Sequence, residues 1–191
     1  MQIEFEAKFT NIDKDDVRSK LKNIGATLVR PEFLMRRMNF DPPVKINGGW
    51  LRVRDEGDKV TLSLKIDAGD KIHDQKESQV VISSFEMGCE ILESMGARNK
   101  AYQETKREIW KLGEVEFDID TWPGLNPFLE IEAPNEPTVK AAAEKIGCDW
   151  HSALFGGVGR IYQTELGIDI DKINNQTTEI TFANPPQKYG S

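Results

Sequence analysis

Apolar and polar residues alternate with a period of two at the start of the chain. Ile3, Phe5 and Ala7 would lie on one side of an extended strand, and Glu4 and Glu6 on the other. The same alternation returns in later segments, at residues 51–54, 60–66, 76–82, 105–110, 115–120 and 129–132. Alternation of this kind is typical of antiparallel strands that bury one face. The pattern therefore predicts an antiparallel sheet.

Three other segments carry apolar residues at helical spacing and end at a glycine, as helices often do. They are residues 13–25, 83–96 and 137–147. In the second segment, Ser83 and Glu86 fit a capping box, and Met87, Ile91 and Met95 fall on one face of the helix. We expect the apolar face of each helix to pack against the apolar face of the sheet, which predicts an α+β fold.

The charges on the polar faces of these strands are segregated by sign. Arg52 and Arg54 share one strand face and Lys65 lies on the next strand, whereas Asp118 and Asp120 lie on an acid-only strand. A solvated face usually mixes both signs, because like charges at adjacent positions repel each other. Each strand taken singly still fits the ordinary solvated face of an antiparallel sheet, and that interpretation stays open.

Segregated charge favours a second interpretation, in which the polar faces converge inside a closed or nearly closed barrel. Charged side chains cannot stay ionised in a dry interior, so the lumen must hold water, a metal ion or an anion. Arginine offers a bidentate fork to phosphate oxygens, and Mg²⁺ or Mn²⁺ binds carboxylate oxygens. The two sets of charges together predict a receptor for a metal-complexed polyphosphate.

Length and charge restrict the classes of function. A chain of 191 residues suits one domain, and its net charge of −7 argues against nucleic-acid binding by a basic surface. Cys89 and Cys148 lack metal or redox spacing and are expected to be small buried hydrophobes. The sequence shows no stretch of transmembrane length and no basic-then-apolar leader, so we expect a cytoplasmic protein without a membrane partner.

Six ordered motifs resemble those of the CYTH family, also called triphosphate tunnel metalloenzymes. They are Glu4-x-Glu6-x-Lys8, Leu51-Arg52-Val53-Arg54, Thr61-Leu62-Ser63-Leu64-Lys65, Lys106-Arg107, Asp118-Ile119-Asp120 and Phe128-Leu129-Glu130-Ile131-Glu132. The resemblance runs from Gln2 to about Gly167. It implies one domain over residues 1–172, folded as an eight-stranded antiparallel barrel with helices packed on its outside. Residues 173–191 are expected to add a short strand, near 178–182, and a loose tail.

Carried over position by position, the resemblance implies two sets of site residues. The implied ligands of Mg²⁺ or Mn²⁺ are Glu4, Glu6, Asp120, Glu130 and Glu132, and Asp118 joins them because it shares the face of Asp120. The implied phosphate-binding residues are Lys8, Arg52, Arg54, Lys65 and Arg107. Those expected to take part in catalysis are Glu4, Glu6, Lys8 and Glu130. A weak internal repeat aligns residues 24–36 with 95–107 and adds Arg36 to the phosphate-binding set, with a solvated strand end as the alternative.

Two departures from the family pattern leave the reaction open. Thr105 stands where many members have a lysine, and Glu77-Ser78-Gln79 ends in an amide where the family has a second acid. The leading hypothesis is metal-dependent hydrolysis of tripolyphosphate, thiamine triphosphate or a nucleoside triphosphate. The alternatives are a class IV adenylyl cyclase, which makes cyclic AMP and pyrophosphate, and a non-catalytic triphosphate-binding protein. The expected partner is a small-molecule triphosphate rather than nucleic acid, and a homodimer stays open.

The metal assignment predicts that Glu4→Gln and Glu130→Gln each lose metal-dependent activity. An amide carries no charge and is a poor ligand for Mg²⁺ or Mn²⁺. Phosphate release from a triphosphate substrate measures the effect, and full activity in either variant would contradict the assignment.

Overall fold

The structure, a computed structural model, describes residues 1–67, 69 and 71–187. Ten β-strands and four α-helices lie in this part of the chain. The strands are β1 (Gln2–Ile3), β2 (Phe5–Phe9), β3 (Thr27–Asp41), β4 (Gly49–Asp55), β5 (Val60–Asp67), β6 (Gln75–Ile82), β7 (Arg98–Leu112), β8 (Val115–Thr121), β9 (Phe128–Ala133) and β10 (Glu179–Ile180). The helices are α1 (Lys14–Asn23), α2 (Phe85–Ser94), α3 (Glu136–Lys145) and α4 (Gly159–Leu166), with a 3-10 turn at Trp150–Ser152 and a π-helical turn at Lys172–Gln176.

The strands close into a barrel through the N-terminal segment. Their order in the sheet is β1-β6-β5-β4-β3-β7-β8-β9-β2, and every pairing on this path is antiparallel. β1 and β2 are separated only by Glu4, whose backbone N–H donates to the carbonyl oxygen of Gln75 at 3.1 Å. The two edges of the sheet are therefore joined covalently. Counted as one strand, β1 and β2 bring the barrel to eight strands, which confirms the predicted fold.

The main apolar core lies between the outer face of the barrel and the helices. Phe117, Ile119 and Ile131 on β8 and β9 are fully buried there. Leu21 of α1 and Val139 of α3 pack in the same cluster and exclude water from it. Because side chains alternate along a strand, the charged residues between these apolar ones point into the barrel.

The helices α1, α2 and α3 each begin where a side chain satisfies a free backbone N–H group. Asp13 caps α1 and Asn135 caps α3, each by accepting from the N–H group three residues further on. The cap of α2 is Ser84, which accepts from the N–H of Met87 at 3.2 Å, one residue beyond the predicted Ser83. Among the described residues, no helix combines the length and the apolar character needed to cross a membrane.

The predicted packing face of α2 is wrong. Met87, Ile91 and Met95 are 58%, 54% and 64% exposed, and the buried face of this helix is centred on Gly88. A Cβ atom at Gly88 would lie 2.5 Å from Cδ1 of Ile82, so a larger residue there would require the side chain of Ile82 to move. The face that carries Phe85, Gly88 and Leu92 is the buried one, so the number of apolar residues on each face did not predict which face is buried.

Residues after 154 pack against β9 and the segment before it in a second apolar cluster. The cluster contains Trp122, Leu125, Phe128, Ile161, Tyr162, Ile168, Ile173 and Ile180. β10 pairs in parallel with the first part of β7, which β8 does not reach. The predicted strand at 178–182 is thus present as Glu179–Ile180, and residues 188–191 of the predicted tail lie outside the described residues.

Two isoleucines test this distribution of buried surface. We expect Ile131→Ala to lower the free energy of unfolding by about 2 to 5 kcal/mol, because it leaves a cavity in the core. Ile91→Ala should change it by less than about 0.5 kcal/mol, because the side chain is already exposed. Urea titration followed by circular dichroism measures both values, and similar losses in the two variants would contradict this description of the core.

Candidate active site

The inner face of the barrel lines a cavity of about 1130 Å³, large enough for a small-molecule ligand. The predicted site residues that line it are Glu4, Glu6, Lys8, Arg52, Arg54, Lys65, Arg107, Asp120, Glu130 and Glu132. Asp118 is buried beside them, in contact with Arg107. The structure thus brings together all the predicted site residues except Arg36.

Carboxylates from three neighbouring strands form one side of the cavity, which we call the acidic wall. It consists of Glu6 on β2, Asp118 and Asp120 on β8, and Glu130 and Glu132 on β9. Glu6 lies directly opposite Glu132, and Asp118 lies directly opposite Glu130. Like charges at such positions destabilise a sheet unless a cation lies between them.

The acidic wall shows this repulsion in its protonation. Burial raises the pKa of Glu132 to about 7, and the nearby charges on Glu6 and Glu130 add to the effect. Burial also raises the pKa of Asp118 well above its usual range, although Arg107 opposes the shift. The Oδ1 atom of Asp118 is buried and has no hydrogen-bond partner among the described residues. The wall therefore has oxygen atoms available for a further cation.

Three arginines on β3 and β4, which we call the basic wall, line the same cavity. They are Arg37, Arg52 and Arg54, and Arg37 lies directly opposite Arg54. Burial and the charges of the neighbouring arginines lower the pKa of Arg37 well below its usual range. Burial and the charge of Arg54 lower the pKa of Arg52 to about 10. The Nε atoms of all three are buried without a hydrogen-bond partner among the described residues. These donors need an acceptor, which water or an anion would supply.

Two cations from the chain itself lie within the acidic wall. Arg107 donates to Asp120 at 2.6 and 2.7 Å and to Glu130 at 3.0 Å, and it also forms an ion pair with Asp118. Lys8 lies 3.1 Å from Glu130 and forms a second ion pair with Glu6. These contacts lower the pKa of Glu130 despite its burial.

The acidic wall fits a hard divalent cation in its donor chemistry. Mg²⁺ and Mn²⁺ prefer carboxylate oxygens, and the wall offers the buried Oδ1 of Asp118, which has no partner among the described residues, and the carboxyl group of Glu132, whose pKa burial raises. In the arrangement that the described residues adopt, no three acidic, histidine or cysteine side chains converge closely enough to hold a metal ion. In this arrangement Lys8 and Arg107 form ion pairs with Glu6, Asp118, Asp120 and Glu130 of the wall.

A mixed set of charges on β5 and β6 connects the two walls. Lys65 contacts Glu4 at 2.8 Å and Glu77 at 3.4 Å, and Arg52 contacts Glu77 at 2.9 Å. Burial and a hydrogen bond shared with Glu77 raise the pKa of Glu4, so this pair of carboxyl groups holds a proton more tightly than two separate acids would. Glu77 was not among the predicted site residues, although the alternation along its strand places it on the inner face.

Arg36 lies outside the barrel, so its prediction as a phosphate-binding residue is wrong. It contacts Asp55 and Glu86, each at 3.0 Å, and its guanidinium lies over the ring of Phe85. Arg37 points inward instead. The internal repeat assumed equal spacing in both halves, but β3 has register shifts against β7 between residues 28 and 33. The pairing shifts twice between residues 28 and 33 and again between Asn39 and Phe40. Each extra residue reverses the face of the residues beyond it, so equal spacing in the two halves does not carry a face from one half to the other.

The position of Arg37 also accounts for the departure at Thr105. Nη2 of Arg37 donates to Oγ1 of Thr105 at 2.6 Å, and its guanidinium lies 4.8 Å from the centre of the Trp122 ring. Where many family members have a lysine, this chain therefore has a hydroxyl that holds a guanidinium from the neighbouring strand. Trp50 is a further cavity residue that the prediction missed, and it shares the inner face of β4 with Arg52.

A family model of the CYTH domain matches residues 2–154. The chain belongs to the CYTH family. A relative from Methanocaldococcus jannaschii, named a putative adenylate cyclase, is 30% identical over 133 residues, which make up 68% of this chain and 76% of the relative. The region that matches the CYTH domain contains both charged walls and every strand except β10.

Solved structures share the CYTH fold at low sequence identity. A structure of a putative adenylate cyclase from Vibrio parahaemolyticus aligns with a TM-score of 0.73 and 17% identity, over 85% of this chain and 98% of that one. A putative adenylyl cyclase from Hippeastrum, described as having a dominant triphosphatase activity, aligns with a TM-score of 0.58 and 16% identity, over 87% and 96% of the two chains.

The raised pKa of Glu132 predicts a pH dependence of stability in the metal-free protein. Between the ordinary glutamate pKa of 4.5 and about 7, the folded state binds more protons at Glu132 than the unfolded state does. The free energy of unfolding should therefore fall as the pH rises through this interval. Glu132→Gln should make the fall shallower and should be more stable than the wild type at about pH 7.

Urea titrations at about pH 5 and about pH 7, with a chelator present, measure this dependence. Glu144→Gln, on the exposed side of α3, is the matched control and should keep the wild-type slope. An unchanged slope in Glu132→Gln would show that this carboxyl group does not carry the excess proton.

Proposed function

We propose that the protein is a divalent-metal-dependent phosphohydrolase that hydrolyses a linear triphosphate inside the barrel. One observation carries this proposal. Arg37, Arg52 and Arg54 each have a buried Nε–H group without a partner among the described residues, and they share a cavity with a wall of carboxylates. A metal-complexed triphosphate supplies an anion to the first group and a cation to the second, and no simple anion or cation would satisfy both.

The basic wall would bind and orient the substrate. Arg37, Arg52 and Arg54 line the cavity and offer charge-assisted hydrogen bonds to phosphate oxygens, which are stronger than hydrogen bonds between neutral groups. Lys65 lies beside Arg52 through their shared partner Glu77 and adds a further positive charge. These donors are already in place before the substrate binds, so little reorganisation is needed as negative charge shifts during the reaction.

The acidic wall would hold Mg²⁺ or Mn²⁺ through Glu6, Asp118, Asp120, Glu130 and Glu132, with Glu4 at its edge. A bound ion of this kind neutralises phosphate oxygens and makes water a better nucleophile at neutral pH. Water would attack the terminal phosphorus, and the bond from that phosphorus to the bridging oxygen would break. The products are orthophosphate, the shortened phosphate compound and one proton.

Adenylyl cyclase activity is the second candidate, and the comparisons favour it specifically. The relative from M. jannaschii and the V. parahaemolyticus structure both carry that name. The same charged cavity would serve, with the ribose 3′-hydroxyl as the attacking group and pyrophosphate as the leaving group. We place hydrolysis first because the Hippeastrum protein of the same fold is described by a dominant triphosphatase activity.

The product formed from each substrate decides between these reactions. The purified protein is incubated with Mg²⁺ or Mn²⁺ and with tripolyphosphate, thiamine triphosphate or ATP in turn, and phosphorus NMR identifies the products. Metal-dependent release of orthophosphate supports the proposal. Cyclic AMP with pyrophosphate would establish the cyclase instead, and saturable binding without any product would indicate a non-catalytic binding protein.

Neighbouring arginines on opposite faces of β3 test the basic wall. We expect Arg37→Gln to raise the KM for the triphosphate by at least about tenfold, because it removes a charge-assisted contact to phosphate. Arg36→Gln should leave KM and kcat within about twofold of the wild type, because Arg36 lies outside the barrel. Steady-state kinetics measure both variants, and equal effects would contradict this assignment of β3.

A further inference from the structure

Arg107 occupies the position in which the acidic wall most needs a cation. It lies on β7 directly opposite Asp120, and its guanidinium contacts Asp118, Asp120 and Glu130 at once. All three carboxylates are buried, and Arg107 is the only described cation that contacts the two aspartates. In this arrangement the chain's own guanidinium supplies the neutralising charge.

The same three carboxylates belong to the set proposed above as metal ligands. A divalent ion bound to them would lie next to the guanidinium, and two positive groups at such a distance repel each other. The oxygens of Asp120 that a metal would use both accept hydrogen bonds from Arg107. Metal binding therefore requires Arg107 to release at least part of the acidic wall.

A second position for the guanidinium lies close by, next to the basic wall. β7 lies between β3 of the basic wall and β8 of the acidic wall. Thr105, two residues before Arg107 on the same face of β7, already accepts a hydrogen bond from Arg37. A triphosphate bound by Arg37 would thus lie within one strand position of Arg107.

We propose that Arg107 is an exchangeable internal cation, which neutralises Asp118, Asp120 and Glu130 in the absence of metal and turns to the phosphate when metal and substrate bind. This inference rests on the proposed function. Arg107 is then a positioning residue for the metal ligands as well as a substrate contact. Metal and triphosphate should bind cooperatively, because the metal releases the guanidinium and the phosphate accepts it.

Binding of Mn²⁺ alone tests this exchange without any turnover. Electron paramagnetic resonance measures free and bound Mn²⁺ in the absence of triphosphate. We expect Arg107→Gln to bind Mn²⁺ roughly tenfold or more tightly than the wild type, because its competing charge is gone. A residue that only binds phosphate would not produce this gain.

Arg37→Gln is the matched control, since it removes a lumen arginine whose guanidinium bonds to a hydroxyl group. Its affinity for Mn²⁺ should rise by less than about threefold. Arg107→Lys keeps the charge but loses the fork that joins three carboxylates, so its affinity should lie between those of the wild type and Arg107→Gln. Circular dichroism verifies that each variant is folded. If Arg107→Gln does not fold, the affinity of Arg107→Lys for Mn²⁺ decides the test.

The outcomes separate this inference from the proposed function. The exchange is overturned if Arg107→Gln binds Mn²⁺ no more tightly than the wild type, or if Arg37→Gln gains as much. Hydrolysis of tripolyphosphate by the wild type would leave the proposed function standing in that case. A wild-type protein that neither binds nor cleaves any triphosphate would instead refute the proposed function.

Discussion

The structure depends on keeping ionised groups of both signs inside a closed β-barrel, away from bulk water. Burying a charge costs several kcal/mol or more unless a partner compensates it. Ion pairs such as Lys8 with Glu130 and Lys65 with Glu4 provide part of this compensation. The compensation is incomplete, because the Nε donors of Arg37, Arg52 and Arg54 have no partner in the part of the chain that the structure describes. The repulsion that remains within each wall is free energy that a ligand of complementary charge would recover.

A barrel with a polar interior must obtain its stability elsewhere. Apolar residues on the outer faces of β8 and β9 are buried under α1 and α3, so the core surrounds the barrel rather than filling it. Because side chains alternate along each strand, one face contributes to the apolar core and the other face contributes to the site. A substitution on the outer face should therefore act on stability, and one on the inner face mainly on ligand binding.

The segment beyond the matched CYTH region also contributes to the site. The side-chain hydroxyl of Tyr162 on α4 donates to the carbonyl oxygen of Pro123 at 2.7 Å, and its ring packs edge-on against Trp122. Trp122 in turn lies against the guanidinium of Arg37. The apolar cluster that α4 and β10 build thus supports one residue of the basic wall, although none of its C-terminal members reaches the carboxylates.

The sequence by itself determined which strands carry acid and which carry base, because alternation with a period of two assigns every side chain of a regular strand to a face. It therefore predicted the antiparallel sheet, and the resemblance of its motifs to the CYTH family implied the barrel in which Glu6, Arg52 and Glu130 line one cavity. It could not place Arg36 and Arg37, because the pairing of β3 with β7 shifts register at several points and the sequence does not show where these shifts occur. It could not find the buried face of α2, because Gly88 packs close to Ile82 while the apolar residue Ile91 stays exposed. Only the tertiary structure showed that Arg107 contacts carboxylates, since contacts between strands depend on pairing and register rather than on the spacing within one strand.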